Sequence, residues 1–275
     1  GGAGIVAAHA AGLGADVNFI SVCGNDESCD YAKVKLKEYN VRSTLLKDQS
    51  RPTTLKKRYR TRGKTLLRVS HLHQTAISKS LQDKFFIEVQ NRIKKADLLI
   101  FSDFNYGCLP QELYERINKI AQNHGVRLVA DSQSSSQIGD ISRFNGMSMI
   151  TPTEREARLS LRDNESGLVV LADKIAVNAK ADNVLLKLGE EGVLIQTNTA
   201  ISEKWITDRL PALNSNPRDV AGAGDSMLIT SSLALACKAT IWEASVLGSI
   251  AAAIQVGRIG NIPLERKELL KYLKR

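Results

Sequence analysis

Residues 219–226 read Asp219-Val220-Ala221-Gly222-Ala223-Gly224-Asp225-Ser226. Glycines set among alanines let backbone N–H groups approach an anion without side-chain obstruction. A helical pattern follows, from Ser226 to about Cys237. The first-turn N–H groups of such a helix are unpaired, and its dipole favours negative charge there. A phosphate over this turn would meet several donors aimed at the charge that develops on transfer. Asp225 stands at the helix start, placed to accept the proton of an attacking hydroxyl, general-base work worth roughly 10²–10⁴-fold. That combination describes a phosphoryl-transfer centre. The same spacing also describes a tight loop with an Asp helix cap, and spacing alone leaves both readings open.

The elements that must carry this loop follow from periodicity. Val17–Val22, Leu98–Phe101, Val126–Ala130, Met149–Ile150, Val184–Leu188 and Val193–Gln196 predict strands. Lys79–Lys94, Pro110–Asn123 and Leu168–Ala179 carry apolar residues at three- and four-residue spacing and predict helices. This alternation implies an α/β fold with a mostly parallel sheet covered on both faces. Asp131-Ser132-Gln133 ends one predicted strand, at the sheet edge where sites lie, and reads equally as a plain strand end. Residues 41–70 break the rhythm: Val41–Leu46, Thr53–Tyr59 and Leu66–Ser70, with the turn Thr61-Arg62-Gly63-Lys64, predict a small antiparallel lid. Asp208–Arg218 reads as a loop leading into the glycine motif.

The 275 residues, 43% hydrophobic and 24% charged, suit one α/β domain with a large core. Val246–Val256 is too short and too mixed to span a bilayer. Residues 1–20 lack a basic segment followed by an apolar run, so the expected address is the cytoplasm. Cys23, Cys29, Cys108 and Cys237 form no C-x-x-C pair and are expected as isolated reduced thiols. His71 and His73 read as a surface pair. The net charge of +9 is concentrated in Arg51–Arg68, where eight basic residues have no acidic neighbour. That run reads as a solvated strand surface or as a site for a phosphorylated partner. Nucleic-acid binding has charge alone behind it, because aromatics are only 5% of the chain. No G-x-x-x-x-G-K-[ST] loop is present.

Asp219–Ser226 resembles the C-terminal signature of the ribokinase-like (PfkB) carbohydrate kinases, usually D-T-T/V-G-A-G-D. Further segments are similar to that family in its order. Gly1-Gly2-Ala3 resembles the glycine pair of its sugar site, Gly24-Asn25-Asp26 its G-x-D step, and Thr151-Pro152-Thr153-Glu154-Arg155-Glu156 its T-P-N-x-x-E. Leu188-Gly189-Glu190-Glu191-Gly192 resembles its L-G-x-x-G nucleotide loop, and residues 251–260 its adenine-side helix. Arg51-Pro52-Thr53-Thr54-Leu55-Lys56-Lys57-Arg58 is similar to the R-P-T-T-x-K-x-R strand of heptose-7-phosphate kinases. Leu67-Arg68-Val69 is similar to their L-R-I-D, and Ser102-Asp103-Phe104 to their S-D-Y.

The resemblance implies a ribokinase-like three-layer α/β/α sandwich with a small β lid, and a kinase passing the γ-phosphate of ATP to a sugar or sugar phosphate. Gly222, Ala223, Gly224 and Asp225 would form the catalytic step. Lys187, Gly189, Glu190, Gly192, Ser249 and Ala253 would bind nucleotide. Gly1, Gly2, Asp26, Lys56, Arg58 and Asp103 would face the sugar. Glu156 would organise Mg²⁺, and backbone near Asp219 and Ala221 a K⁺ ion. Ile5, Tyr106, Thr153, Lys187 and Ser249 depart from the family pattern. The acidic strand that precedes the glycine pair in relatives lies outside residues 1–275. A kinase-like protein that binds these ligands without turnover is the alternative. The resemblance also implies a homodimer paired through the lid strands, which sedimentation velocity would show as twice the chain mass.

Overall fold

The computed structural model describes residues 2–61, 64–134, 138–198 and 205–274. The candidate Gly1 and two residues of the lid turn, Arg62 of the basic run and Gly63, lie outside them. In chain order the elements are α1 (Ala3–Gly12), β1 (Asn18–Cys23), α2 (Glu27–Glu38), β2 (Arg42–Lys47), β3 (Leu55–Thr61), β4 (Lys64–His71), α3 (Lys79–Ile93), β5 (Leu98–Asp103), α4 (Gln111–Asn123), β6 (Arg127–Ser132), β7 (Met149–Ile150), α5 (Glu154–Leu161), α6 (Leu168–Ala179), β8 (Asn183–Lys187), β9 (Val193–Asn198), β10 (Trp205–Leu210), α7 (Ala223–Ala236), α8 (Ile241–Val256) and α9 (Arg266–Leu273).

Six strands form the central sheet in the order β10-β9-β8-β7-β6-β5. The pairs from β5 to β8 are parallel, and β9 and β10 add antiparallel at one edge. Side chains alternate between the two faces of each strand. Leu128, Ala130, Ile150, Val184 and Leu186 join a core with residues of α3, α4 and α6. Their neighbours Val129, Met149 and Leu185 join a second core with residues of α1, α7 and α8. A fully buried Leu or Ile contributes about 1.5–3 kcal/mol, so this two-sided burial fixes the strand register. The sheet with its two helical layers is the sandwich expected from the resemblance.

Caps set the helix starts. Ser78 accepts from the Leu81 N–H at α3, and Thr153 with Glu156, and Thr240 with Glu243, form reciprocal capping boxes at α5 and α8. Each cap is worth about 1 kcal/mol.

Three local expectations are corrected. β2 pairs in parallel with β1, so only β3 and β4 form the antiparallel lid hairpin. The stretch read as a loop from Asp208 begins with the end of an edge strand: Trp205–Leu210 pairs with β9, Asp208 opposite Ile195. An edge strand faces solvent along one side, so its polar residues hid it. Cys23 and Cys29, expected as free thiols, are disulfide-bonded with Cα atoms 5.8 Å apart. Asp26 caps α2 by accepting from the Cys29 N–H, which folds the first helical turn back against the end of β1.

The β1–β2 pair stands apart from the six-stranded sheet. α1 packs on both β1 and β5, and α3 packs on β1 and β2. Between them lies a cavity of about 1920 Å³ lined by Asn18–Cys23 on one side and Leu98–Asp103 on the other, which reaches Gly222 and Asp225.

The end of α1 is seated on the segment before α9. A Cβ on Gly12 would lie 2.0 Å from the backbone oxygen of Leu264, and backbone cannot yield as a flexible side chain does. Gly12→Ala is therefore expected to lower the unfolding free energy by about 1–3 kcal/mol, read from the midpoint of chemical denaturation.

Candidate active site

The glycine loop is shaped by two close contacts. Gly222 has φ +86°, and a Cβ there would sit 2.4 Å from Asn261 Oδ1. A Cβ on Gly224 would come within 3.2 Å of Lys187 Nζ. The loop is stapled to the segment after α8. Asp219 accepts from the N–H groups of Ala221 at 3.2 Å and Gly260 at 3.1 Å, and from Arg60 Nη1 at 2.7 Å. Gln255 Nε2 donates to the carbonyls of Ala221 and Gly260 at 3.3 and 2.9 Å. α7 begins at Ala223, so Asp225 lies in its first turn.

Asp225 is buried, 8% exposed. Gln133 Nε2 donates to its Oδ1 at 2.9 Å. Burial, and then the nearby charge of Asp131, push its pKa up to about 6 against the opposing pull of Lys187. This lies in the range where a carboxylate works efficiently as a base near neutral pH.

Beneath the loop the C-terminal ends of β6, β7 and β8 converge. Lys187 Nζ donates to Asp131 Oδ1 at 2.9 Å, and Thr151 Oγ1 donates to the same oxygen at 2.8 Å. Burial acts to lower the Lys187 pKa, but the charges of Asp131, Glu156 and Asp225 outweigh it, and the ammonium is held charged. Three carboxylates share that one ammonium, so the cluster carries excess negative charge and favours a further cation or a proton. Glu156 Oε1 accepts from the Ser134 N–H at 2.9 Å, and Oε2 from the Thr153 N–H at 2.8 Å. Of the expected residues, Lys187, Gly222, Gly224, Asp225 and Glu156 are thus assembled on one sheet edge. Asp131 and Gln133, ambiguous as a strand end, belong to the same cluster.

The expected sugar-side residues are more dispersed in role. A Cβ on Gly2 would lie 3.7 Å from the Phe104 ring. Lys56 Nζ sits over the rings of Phe104 and Tyr106 at 5.4 and 5.1 Å, and Lys56 and Arg58 both line the large cavity. Asp26 has one oxygen on the Cys29 N–H and the other on the Thr53 N–H, at 3.0 and 2.8 Å. Asp103 is buried with Oδ2 paired to Arg143 at 2.8 Å and Oδ1 accepting from the Asn105 N–H at 2.9 Å. Both carboxylates therefore brace backbone and loops.

On the expected nucleotide side, Gly189 and Gly192 adopt φ +63° and +93° around a single helical turn that exposes Glu190. A Cβ on Gly192 would meet the Leu210 carbonyl at 2.0 Å, so this turn rests on the end of β10. Ser249 and Ala253 are buried one turn apart on α8, which packs on β9 and β10. No hydrogen bond links them to Lys187 or Asp225 among the described residues. His9 and Asn261 escaped the sequence reading. The only signal was a Gly-Asn-Ile-Pro turn before the last helix.

Among the described residues no group of three or more His, Cys, Asp or Glu forms a metal cage, and no helix is long and apolar enough to cross a membrane. Mg²⁺ is held by one or two carboxylates with water and phosphates rather than by an all-protein cage, which fits Glu156 and the excess negative charge around it.

Comparison with known proteins gives concordant results. The model of the "pfkB family carbohydrate kinase" matches residues 1–267. The chain is 31% identical over 279 residues to the bifunctional protein HldE of Desulfatibacillum aliphaticivorans, covering 100% of this chain and 55% of that one. It is 29% identical over 275 residues to bifunctional HldE of Nitratiruptor sp., covering 99% of this chain and 56% of that one. The chain thus spans about half the length of these curated relatives. Among solved structures, phosphofructokinase-2 from Escherichia coli in complex with potassium superposes with a TM-score of 0.79 at 20% identity, over 98% of this chain and 86% of that one. Ribokinase from Thermotoga maritima superposes at 0.76 and 21% identity, over 98% and 86%. With the match running from the glycine pair into the last helix, the chain belongs to the pfkB family of carbohydrate kinases.

Proposed function

We propose that this chain transfers the γ-phosphoryl group of ATP to a hydroxyl of a phosphorylated sugar, with Asp225 as the base. The observation that carries this reading is a buried carboxylate in the first turn of α7, its pKa raised to about 6, beside a glycine loop and the Lys187 ammonium. ATP bound with Mg²⁺ supplies the transferable phosphoryl group and neutralises part of its charge. Asp225 takes the hydroxyl proton. First-turn N–H groups of α7 donate to the phosphoryl oxygens where negative charge grows. Lys187 adds a fixed positive charge beside Gly224. Glu156, whose oxygens already hold two backbone N–H groups, would hold Mg²⁺ through water.

The substrate class follows from the lid. Lys56 and Arg58 are on one strand, line the large cavity, and suit a phosphate: Arg as a bidentate clamp, Lys as a point charge. The likeness of Arg51–Arg58 to the strand of heptose-7-phosphate kinases favours a heptose phosphate among such sugars. Around Asp219 the Arg60 guanidinium already supplies the counter-charge. The lid strands expose Tyr59, Leu66 and Leu67, and we propose that a second copy covers them.

We also propose that a strand preceding Gly1 in the full protein occupies the cavity between β1 and β5. Among the described residues both strands leave one edge unpaired there, and buried strand edges require partners. A longer chain carrying the upstream segment should show slowed amide exchange along β1 and β5 relative to residues 1–275. Equal exchange in the two would remove the idea.

For the chemistry itself, Asp225→Asn is expected to abolish ATP-dependent phosphorylation across a panel of phosphorylated heptoses, hexoses and pentoses while ATP affinity stays nearly unchanged. The wild-type rate should fall as pH drops below about 6, because protonated Asp225 cannot accept a proton. If the wild type binds ATP and turns over no sugar, the binding-only reading replaces this one.

A further inference from the structure

Among the described residues the lid hairpin β3–β4 pairs with no other strand, and a two-stranded hairpin by itself is only marginally stable. Its position over the cavity depends on side-chain ties. At its base, Arg51 donates to the carbonyls of Tyr106 and Thr75 at 3.2 and 2.9 Å, and Thr53 is hydrogen-bonded to Gly24 and Asp26. Midway, Lys56 rests on the Phe104 and Tyr106 rings. At the far end, Arg60 Nη1 donates to Asp219 Oδ2 at 2.7 Å.

This last contact differs from a surface ion pair. The Arg60 and Asp219 side chains are only 24% and 13% exposed, so solvent and salt screen them less than an exposed pair. Two features of the hairpin aim the guanidinium there. Strand alternation puts Lys56, Arg58 and Arg60 on one face of β3. Beside Arg60 the ladder slips: Tyr59 pairs with Leu67 and Arg60 with Thr65, which leaves Leu66 as an extra residue in β4. A bulge of this kind twists the ladder and re-aims the side chains next to it. Asp219 is itself fixed, with Oδ1 on the Ala221 N–H at 3.2 Å and Oδ2 also on the Gly260 N–H at 3.1 Å. One carboxylate therefore joins the far end of the lid to the glycine loop that leads into α7.

We propose that Arg60 is a positioning residue: its ion pair with Asp219 clasps the lid to the glycine loop, so that Lys56 and Arg58 stand over the cavity ready for the phosphate of the substrate. This rests on the lid taking that phosphate. A clasped strand holds both side chains in place before the substrate arrives, so less ordering is left to oppose binding. Without the clasp, the hairpin must be ordered by the substrate itself.

Amide exchange and ligand binding test this on the wild type, Arg60→Leu and Arg60→Lys. In both variants Asp219 keeps its two backbone N–H groups, so the glycine loop is expected to hold its shape. In the ligand-free protein, Arg60→Leu should exchange faster than wild type across Leu55–Thr61 and Lys64–His71, with α4 and β6 unchanged. Arg60→Lys, which keeps a cation for Asp219, should lie between the two. Unchanged exchange in the lid overturns the clasp, and so does an equal rise throughout the chain, which marks a general loss of stability. By calorimetry, the Kd for heptose 7-phosphate should rise about tenfold in Arg60→Leu and recover in part in Arg60→Lys. The affinity for a non-hydrolysable ATP analogue should stay nearly the same. Equal sugar-phosphate affinity in wild type and Arg60→Leu, or a loss that the ATP analogue shares, overturns the proposal. A wild type that binds no sugar phosphate removes the lid as a phosphate site and the positioning role with it, while exchange still decides the clasp by itself.

Discussion

Under the glycine loop, an ammonium and a carboxylate are buried against one another, and the site is arranged around them. Lys187 Nζ lies 2.9 Å from Asp131 Oδ1. The two residues end β8 and β6, and β7 runs between them, with Thr151 at its end donating to the same carboxylate. Three strand ends are thereby tied at one point. Breaking a buried pair by removing one partner costs about 3–5 kcal/mol, because a charge is left uncompensated. The pair also determines the chemistry above it. Lys187 stands next to Gly224, where a side chain would crowd it, and the Asp131 charge helps to raise the pKa of Asp225. One buried contact thus places a fixed positive charge beside Gly224 and adds to the effect of burial on Asp225.

The two sides of the site are built differently. The side expected to take phosphate is built from backbone: positive-φ glycine, first-turn N–H groups and the Asp219 and Gln255 staples. The side expected to take sugar is built from side chains, and several are committed elsewhere. Asp26 holds the turn before α2, and Asp103 neutralises Arg143. Lys56 rests on Phe104 and Tyr106, contacts that keep an ammonium near the cavity at little entropic cost. Backbone devices leave a strong trace in sequence because few residues besides glycine can serve them. Side-chain devices can be rebuilt from many residue types.

This contrast explains what could be read in advance. Glycine at 222 and 224 and an acid at 225 form one short run that is legible without its partners, whereas Lys187 was singled out only through the resemblance. The strands β5 to β9 announced themselves because both faces are buried. β10 did not, since Ile206, Asp208 and Arg209 are exposed along it. α1 gave no amphipathic stripe because six consecutive residues, Ile5–Ala10, are buried. The Thr153–Glu156 spacing is a capping-box signature, so one residue pair serves both the helix end and the carboxylate cluster.

From the chain alone came the alternation of strand and helix, the glycine loop with its acid, and the basic lid strand, because each is a local pattern of residue types. Only the tertiary structure decided that β2 pairs with β1, that Cys23 meets Cys29, and that His9 reaches Asn261 across 252 positions. Those contacts join residues whose local sequence carries no mark of the partner. They exist because packing a two-faced sheet between helices brings distant segments to one edge, and there burial, not spacing, sets the charge and direction of each group.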